Sequence, residues 1–406
     1  MKLQIRHYIA QNGERFSLLY NVDHDDSDHA AFPLFYPTAY VTRRLRGQMH
    51  SSQVEQLQAI KKLYNWAHQE KPALDLHHVL LSRQFFAPYQ VDSLAAHLLK
   101  KDRQGNTISR PRYNRTLNVV AEYLTWYATE IISDSNSPKI AKAVTHMKSE
   151  INARCNKRQG STSRQQQVNL TKKLSDKARA TLLNLFKNAE NGIKNETQKN
   201  TLYRNILTLH IMYSTGMRIG EVLGLQLQDF IIASGGEPAY LVIRRNHDAI
   251  EDDRIQQPVA KTLNRRLAID DELSHIISDY LVRRSKIPHV GFHDNSYLLV
   301  NFMRGSRQGL GVSNQSFNTS LERLRRRFPT LSELHPHLLR HDWNFRFSQK
   351  AALLKMDEKT ERAVREYCMG WVDNSPSSKI YNRRYIEELA FDIGVRIAND
   401  TQKKDL

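Results

Sequence analysis

A basic stretch, whose centre has no hydrophobic periodicity, divides this 406-residue chain into two parts. Residues 139–173 contain nine Lys and Arg but a single acid, Glu150. The middle of the stretch, Asn156 to Val168, is rich in Gln and Ser, a composition typical of solvated linkers. The sequence therefore predicts a basic linker over residues 136–173 with a folded domain on each side. A solvated helix surface followed by a loop is the alternative.

The part before the linker has helical periodicity. Apolar residues recur three and four positions apart over 51–70, 91–101 and 116–132, the pattern of helices that bury one face. These segments predict a small helical domain over residues 47–135. Residues 1–46 mix short β-type runs with turn residues, and they are predicted as an N-terminal appendage of uncertain shape.

The part after the linker is predicted as a larger domain over residues 174–397, followed by a polar tail over 398–406. Its predicted elements are helices over 177–187, 198–214, 219–225, 271–284, 314–328, 337–352, 358–369 and 385–399, and strands over 239–244 and 265–269. The fold class is therefore mainly α with a small β-hairpin or sheet, in which a helical domain is joined by the basic linker to an α+β domain.

Charge and hydropathy limit the partners. Lys and Arg outnumber Asp and Glu by 60 to 42, which gives a formal net charge of +18 and predicts a polyanionic partner. A mean hydropathy of −0.60 and the lack of an apolar run of about 18 residues argue against a membrane protein. Residues 1–16 also lack the unbroken apolar block of a secretory signal. We therefore expect a cytoplasmic protein, associated with the nucleoid when it acts, and no membrane partner.

Common cofactor motifs are missing from the sequence. The two cysteines, Cys155 and Cys368, are too few for a disulfide framework or a four-thiolate zinc site. There is no Gly-rich phosphate loop of the Walker type. The acidic run over residues 23–29 lacks the Gly and the terminal Glu of a calcium loop. The sequence therefore predicts neither a cofactor nor a bound metal ion.

Basic, imidazole and aromatic side chains in the second part carry the candidate chemistry. Arg218 ends a predicted turn between two helices, and Glu221 lies one helical turn later, where it can orient the arginine. His337 and Arg340 are three residues apart and share one face of a helix. The candidate catalytic residues are Arg218, Lys261, His337, Arg340, Trp371 and Tyr381.

These residue types suit phosphodiester transfer without a metal. The guanidiniums of Arg218 and Arg340 can supply paired donors to non-bridging phosphate oxygens. A tyrosine, whose ordinary pKa is about 10, can attack phosphorus if it loses its proton in a positive local field. Lys261, just before a predicted strand, can protonate the leaving oxygen, and Arg265 and Arg266 lie close to it in sequence.

Five motifs in order resemble the catalytic signature of the tyrosine recombinase (phage integrase) family. They are Thr-Gly-Met-Arg-Ile-Gly-Glu, Lys-Thr, His-Leu-Leu-Arg-His, Met-Gly-Trp and Ile-Tyr. The resemblance covers roughly residues 170–397 and implies the catalytic fold of that family. The helices over residues 51–133 are similar in size and position to the core-binding domain of the family, although that likeness rests on pattern alone.

The resemblance also implies roles. Arg218 and Arg340 would clamp the scissile phosphate, and Lys261 would protonate the leaving 5′ oxygen. His337 would assist proton transfer. Trp371 would hold a non-bridging oxygen, because an indole can donate a hydrogen bond but cannot shuttle protons. Most family members have His at this position.

Tyr381 is the nucleophile that the resemblance implies, forming a 3′-phosphotyrosine bond. The interval from Trp371 to Tyr381 is one residue longer than is usual in the family, so Tyr385, one helical turn later, is the alternative. The helix after Tyr381 is predicted to dock on a neighbouring protomer or on its own domain, since Leu389 and Ile393 belong to one apolar stripe.

The resemblance implies a site-specific DNA recombinase. Its partners would be double-stranded DNA with specific recombination sites and three further copies of the chain, in a homotetramer. Phosphate contacts from the linker and from the arginines of residues 321–328 would dominate DNA affinity. One alternative is a strand transferase of the type IB topoisomerase or telomere resolvase kind. The other is a DNA-binding accessory protein without catalytic activity.

Overall fold

The computed structural model describes residues 2–22, 31–100, 106–157, 173–188 and 194–373, together with positions 393, 395 and 397. The chain divides into two compact units, an N-terminal unit of residues 1–159 and a C-terminal unit of residues 160–406.

The N-terminal unit is mainly helical. Its elements in chain order are β1 (Leu3–Ile9), β2 (Arg15–Asn21), α1 (Phe35–Tyr40), α2 (His50–Gln69), α3 (Leu76–Leu81), α4 (Pro88–Leu99), α5 (Arg110–Ile131) and α6 (Pro138–Ala153). The three helices predicted here correspond to α2, α4 and α5, and their apolar stripes share one core. Helix α5 begins earlier than predicted, because Pro111 at its N-terminus is compatible with the first turn of a helix.

Residues 1–46, for which the sequence predicted no definite shape, add a β-hairpin to this unit. Strands β1 and β2 pair antiparallel along their whole lengths. Leu3 and Leu19 are buried in the same hydrophobic core as Leu57 of α2. The hairpin is therefore packed on the helices rather than appended to them.

Helix α6 corrects the predicted start of the linker at residue 136. The apolar stripe of α6 is buried in the N-terminal core and consists of Ile140, Val144, Met147 and Ile151. Its spacing of four, three and four is that of one helix face, but the lysines between these residues suggested a solvated linker instead. The alternative of a helix followed by a loop fits this half of the stretch. Residues 158–172 lie outside the described residues.

The C-terminal unit combines helices with a small sheet. Its elements in chain order are α7 (Asp176–Asn188), α8 (Glu196–Thr215), α9 (Ile219–Leu223), β3 (Phe230–Ile231), β4 (Tyr240–Ile243), β5 (Arg265–Ala268), α10 (Asp271–Ser285), α11 (Asn314–Arg327), α12 (Pro336–Leu353) and α13 (Glu358–Met369). The sheet is antiparallel in the order β3-β4-β5. Strands β4 and β5 were predicted, whereas the two-residue strand β3 was not.

Helix α8 runs through the middle of this unit, which explains its weak amphipathicity. Every position from Arg204 to Met212 is buried, and Leu207, Leu209 and Ile211 lie in the core with Leu241 of β4. A helix that is surrounded by protein has no solvent face to keep polar. The chain is thus mainly α with a small antiparallel sheet, as predicted.

Two predictions concern the C-terminal end. The predicted helix over 385–399 and the tail over 398–406 lie outside the described residues, apart from positions 393, 395 and 397. Among the helices that are described, none is both long enough and apolar enough to cross a membrane.

Candidate active site

Arg218 lies in a tight turn between α8 and α9. Helix α8 ends at Thr215, and Gly216 has φ +69°, a left-handed conformation that glycine adopts without strain. A Cβ atom on Gly216 would lie 2.7 Å from the Cε of Met369 and 2.9 Å from the ring of Trp343. The turn is therefore packed closely against α12 and α13, and only glycine fits there.

Glu221 positions Arg218, as the sequence predicted. One oxygen of the carboxylate accepts a hydrogen bond of 3.0 Å from the backbone N–H of Arg218. The other lies 3.6 Å from Arg218 Nη1. The Glu221 side chain is fully buried, whereas 34% of the Arg218 side chain remains exposed. The Arg218 side chain is thus supported by the buried Glu221 carboxylate and remains partly accessible to solvent.

Arg340 connects two of the motifs. It lies in the second turn of α12 and is almost completely buried. Its Nη1 donates to the carbonyl of Gly216 at 2.8 Å, and its Nη2 donates to the carbonyl of Met369 at 2.9 Å. The guanidinium carbon lies 5.4 Å from the centre of the Trp371 ring.

His337 is exposed in the first turn of the same helix. Its ring centre lies 4.4 Å from that of His341, with the two rings nearly perpendicular. The N-terminus of α12 is capped by His335, whose Nδ1 accepts a hydrogen bond of 3.0 Å from the backbone N–H of Leu338. His337 therefore stands where the dipole of a helix favours an anion.

Lys261 is exposed and lies four residues before β5, on the connection from β4. The neighbouring Thr262 donates a hydrogen bond of 2.6 Å from its hydroxyl to Glu221. On the other side, a Cβ atom on Gly220 would lie 2.9 Å from the carbonyl oxygen of Val259. The segment that carries Lys261 therefore packs against α9, close to the turn that contains Arg218.

Trp371 follows the end of α13. Gly370 ends the helix with φ +61°, and its carbonyl accepts a hydrogen bond of 3.0 Å from the backbone N–H of Leu263. Trp371 is 9% exposed, and its backbone N–H donates to the backbone carbonyl of Glu366 at 2.9 Å. The end of α13 is thus joined directly to the segment that precedes β5.

The electrostatics of the site centre on Glu221. Burial would raise the pKa of this carboxyl, but the charges of Arg265 and Arg340 and hydrogen bonds from Thr262 and Arg265 lower it below its ordinary value. Glu221 is therefore ionised at neutral pH. With Arg218 included, three guanidiniums surround this carboxylate, and the excess positive charge suits a phosphate.

Arg265 is part of this arrangement, although the sequence suggested it only as a cation near Lys261. Its Nη2 donates to Glu221 at 2.7 Å, and its Nε donates to the carbonyl of Cys368 at 2.8 Å. The sequence signal that could have identified it is the strand alternation of β5, in which Arg265 falls on the buried face and Arg266 on the exposed face.

The structure brings five of the six predicted residues into one region. Arg218, Lys261, Arg340 and Trp371 are linked through the contacts above, and His337 lies on the same helix as Arg340. Tyr381 and the alternative Tyr385 lie outside the described residues. Within the described part of the chain, no group of three or more His, Cys, Asp or Glu side chains could hold a metal ion.

Comparisons with known proteins found one family model and solved structures that resemble this chain. The model of the phage integrase family matches residues 178–388, slightly more than half of the chain. Two solved structures of the site-specific recombinase XerH bound to difH substrates are similar in fold, each at 14% sequence identity. The post-cleavage complex has a TM-score of 0.42 and covers 78% of this chain and 86% of that chain. The pre-cleavage complex has a TM-score of 0.41 and covers 87% and 93%. No curated protein matches the chain.

Proposed function

Because this chain belongs to the phage integrase (tyrosine recombinase) family, we propose that it is a site-specific DNA recombinase that works through a 3′-phosphotyrosine on Tyr381. The observation that carries the proposal is the position of Arg340. Its guanidinium holds the Gly216 turn, holds the end of α13 and lies beside Trp371, so one buried cation aligns three of the five motifs. Such a rigid arrangement of donors is what transition-state stabilisation at a phosphate requires.

The proposed cleavage step is a transesterification. The phenolate oxygen of Tyr381 attacks the scissile phosphorus, and the bond from phosphorus to the 5′ oxygen breaks as the bond to tyrosine forms. Lys261 gives its proton to the departing 5′ oxygen, and His337 assists removal of the proton from the tyrosine. Arg218 and Arg340 neutralise the non-bridging oxygens. The 5′ hydroxyl of another strand then attacks the phosphotyrosine and releases Tyr381.

Trp371 has a different role in this scheme. An indole N–H donates and never accepts, so this residue can bind a non-bridging oxygen but cannot transfer protons. Proton transfer therefore falls to Lys261 and His337. One phosphodiester is exchanged for another through a covalent intermediate, so neither ATP nor a metal ion is needed in the proposed reaction.

Double-stranded DNA with specific recombination sites is the proposed partner. The net charge of +18 favours a polyanion, and helix α11 carries exposed arginines at its C-terminal end, of which Arg326 is 79% exposed at the side chain. Strand exchange between two sites needs one nucleophile for each of four strands, and we therefore propose a homotetramer in the synaptic complex.

A covalent trap tests the proposal. The full-length protein is incubated in EDTA, without ATP, with DNA fragments that flank its own gene, including nicked duplexes that lose the 5′ segment and cannot religate. After denaturation in detergent, the nucleotide-bearing peptide and the attached DNA are identified. We expect an adduct on Tyr381, with a defined sequence at the attached 3′ end.

Matched variants separate the alternatives. Tyr381→Phe should abolish the adduct while Tyr385→Phe retains it, and the reverse result would move the nucleophile to Tyr385. Relaxation of supercoiled plasmids of unrelated sequence by the protein would favour a topoisomerase. If the wild type forms no adduct with any flanking or nicked DNA and binds DNA as tightly as Tyr381→Phe does, the chain is an accessory DNA-binding protein.

A further inference from the structure

We propose that Arg265 is a positioning residue that sets the geometry of Arg218, Lys261 and Trp371 together. This inference rests on the proposed recombinase function. Arg265 is not one of the predicted catalytic residues. Its side chain is 1% exposed, and its Nε, Nη1 and Nη2 all donate to groups of the protein itself. Its effect must therefore pass through the groups that it holds.

The first of these groups is Glu221. Arg265 Nη2 donates to one carboxylate oxygen at 2.7 Å, and that same oxygen accepts the backbone N–H of Arg218 at 3.0 Å. The other oxygen accepts the hydroxyl of Thr262 and lies 3.6 Å from Arg218 Nη1. Removing the Arg265 guanidinium would take away one of the donors that orient Glu221, and the support that this carboxylate gives to Arg218 would be weaker.

The second group is the segment that carries Lys261. Arg265 Nη1 donates to the hydroxyl of Thr262 at 2.9 Å and approaches the carbonyl of Leu263 at 3.4 Å. Through these contacts the side chain of Arg265, the first residue of β5, holds the residues that precede the strand. Lys261 immediately precedes Thr262, so we expect the position of Lys261 to depend on these contacts.

The third group is the end of α13. Arg265 Nε donates to the carbonyl of Cys368 at 2.8 Å. A Cβ atom on Gly370 would lie 2.5 Å from Arg265 Nη1, which shows how closely the guanidinium fills the space before Trp371. Met369 lies between Cys368 and Gly370, and its carbonyl accepts a hydrogen bond from Arg340.

Because the guanidinium is planar and has several donors, the single side chain of Arg265 can hold all three groups at once. Its Nε, Nη1 and Nη2 point in three fixed directions, toward α13, toward Thr262 and toward Glu221. A lysine at this position would offer a single charged nitrogen on a flexible stem, and it could pair with Glu221 without reaching the other partners.

The test compares three variants of the full-length protein. Arg265→Met removes the charge and the donors, and Arg265→Lys keeps the charge alone. Arg284→Met is the matched control, since Arg284 is also buried in the C-terminal unit and holds a backbone carbonyl, that of Tyr297, outside the motifs. Hydrogen exchange without DNA is measured for peptides that cover 215–221, 261–268 and 366–371. Single-turnover cleavage of the nicked duplex follows.

We expect Arg265→Met to accelerate exchange in all three peptides, while Arg284→Met accelerates exchange near residues 284–300 only. Cleavage by Arg265→Met should slow by about a hundredfold, because small displacements of catalytic groups have effects of that size. DNA affinity should change by less than about threefold, since surface phosphate contacts dominate it. Arg265→Lys should recover part of the cleavage rate, with exchange at 366–371 still fast.

Two results would overturn the inference. One is unchanged exchange in the three peptides of Arg265→Met. The other is an equal loss of cleavage in Arg284→Met, which would mean that any buried arginine matters through general stability. If the wild type forms no adduct with DNA, the proposed function fails, but the exchange measurements still decide whether Arg265 couples the three segments.

Discussion

Most of the buried arginines lie in the C-terminal unit. In the N-terminal unit, most arginines that form ion pairs stay in solvent, with side-chain exposures such as 62% for Arg43 and 61% for Arg115. In the C-terminal unit, several arginines are almost completely buried, and each donates to a backbone carbonyl. They are Arg204, Arg254, Arg265, Arg284, Arg340 and Arg365.

The cores differ accordingly. The N-terminal core is aliphatic and aromatic, with fully buried side chains such as Trp66 and Tyr123. Such packing is strong but tolerates small adjustments. Buried guanidiniums fix loops more narrowly, because an unmade hydrogen bond in the interior has a large free-energy cost. The C-terminal unit therefore holds its loops in one geometry, which a preorganised active site needs. The N-terminal unit keeps most of its arginines at the surface, and Arg15, which is buried and donates to the carbonyl of Gly13 at 2.8 Å, is an exception.

Among the buried arginines of the C-terminal unit, Arg340 should have the largest effect on DNA cleavage when it is replaced. Arg340→Met leaves the carbonyls of Gly216 and Met369 without their donor and removes a charge beside Trp371. We expect DNA cleavage to fall by at least about a hundredfold, the effect of losing one transition-state donor. Single-turnover cleavage of the nicked duplex measures it.

The control for this variant is Arg254→Met. Arg254 is equally buried and also donates to two carbonyls, those of Leu223 and Val312, but it lies outside the motifs. It should lose stability and retain the cleavage rate of the fraction that stays folded. Equal loss of cleavage in both variants would mean that buried arginines act here through stability alone.

Arg365 offers a test of stability separate from catalysis. It is fully buried, pairs with Glu361 and donates to the hydroxyl of Ser348 at 2.7 Å. Arg365→Met should lower the free energy of unfolding by about 3 kcal/mol, because an unpaired carboxylate remains inside. The midpoint of urea unfolding, followed by circular dichroism, measures the change.

A double variant sharpens this result. Adding Glu361→Leu to Arg365→Met removes the stranded carboxylate and should restore part of the lost stability. If the double variant is less stable than Arg365→Met, the ion pair is not the cause of the loss, and the contact of Arg365 with the Phe347 ring at 4.7 Å becomes the better explanation.

Glu221 should make the C-terminal unit sensitive to acid. Its pKa is lowered in the folded state, so its contribution to stability is complete above the ordinary value of 4.5 and is lost as the pH falls through the folded value. The stability difference between wild type and Glu221→Gln should therefore shrink as the pH drops below about 4.5. Urea unfolding at a series of pH values measures this difference.

Asp229 supplies a control of opposite sign. Burial raises its pKa in the folded state, despite hydrogen bonds from Gln226 and Arg244. Its contribution is then present below the ordinary value of 3.8 and is lost as the pH rises through the folded value. Acidification should thus favour wild type relative to Asp229→Asn. The same direction for both variants would contradict the charge assignment at Glu221.

The sequence was a good guide to elements with strong periodicity. Helices α2, α4 and α5 were located because their apolar positions recur with the helix period. Helix α6 was missed since its lysines concealed a four-residue apolar stripe. The local sequence pattern did not predict the β-hairpin, because the burial of the hairpin depends on contact with α2.

The candidate site shows the same division. Motif order singled out Arg218, Arg340 and Trp371, and the structure brings these three residues close together. The part played by Arg265 depends on the approach of β5 to α9 and to the end of α13, which are distant in sequence. Contacts between remote segments carry no local signal, so residues that act through other residues are the ones that sequence patterns miss.

The smallest effect on stability is expected at the surface of the N-terminal unit. Arg115 pairs with Glu55 at 2.9 Å, but both side chains are largely exposed, at 61% and 44%. Arg115→Gln should therefore change the free energy of unfolding by no more than about 0.5 kcal/mol, because solvent screens such pairs. Its affinity for DNA should fall if this face meets phosphates, and the slope of log affinity against log salt should decrease by about one unit. Titration of the full-length protein with duplex DNA at several salt concentrations measures both quantities. A loss of stability as large as that of Arg365→Met would remove the contrast between the arginines of the two units.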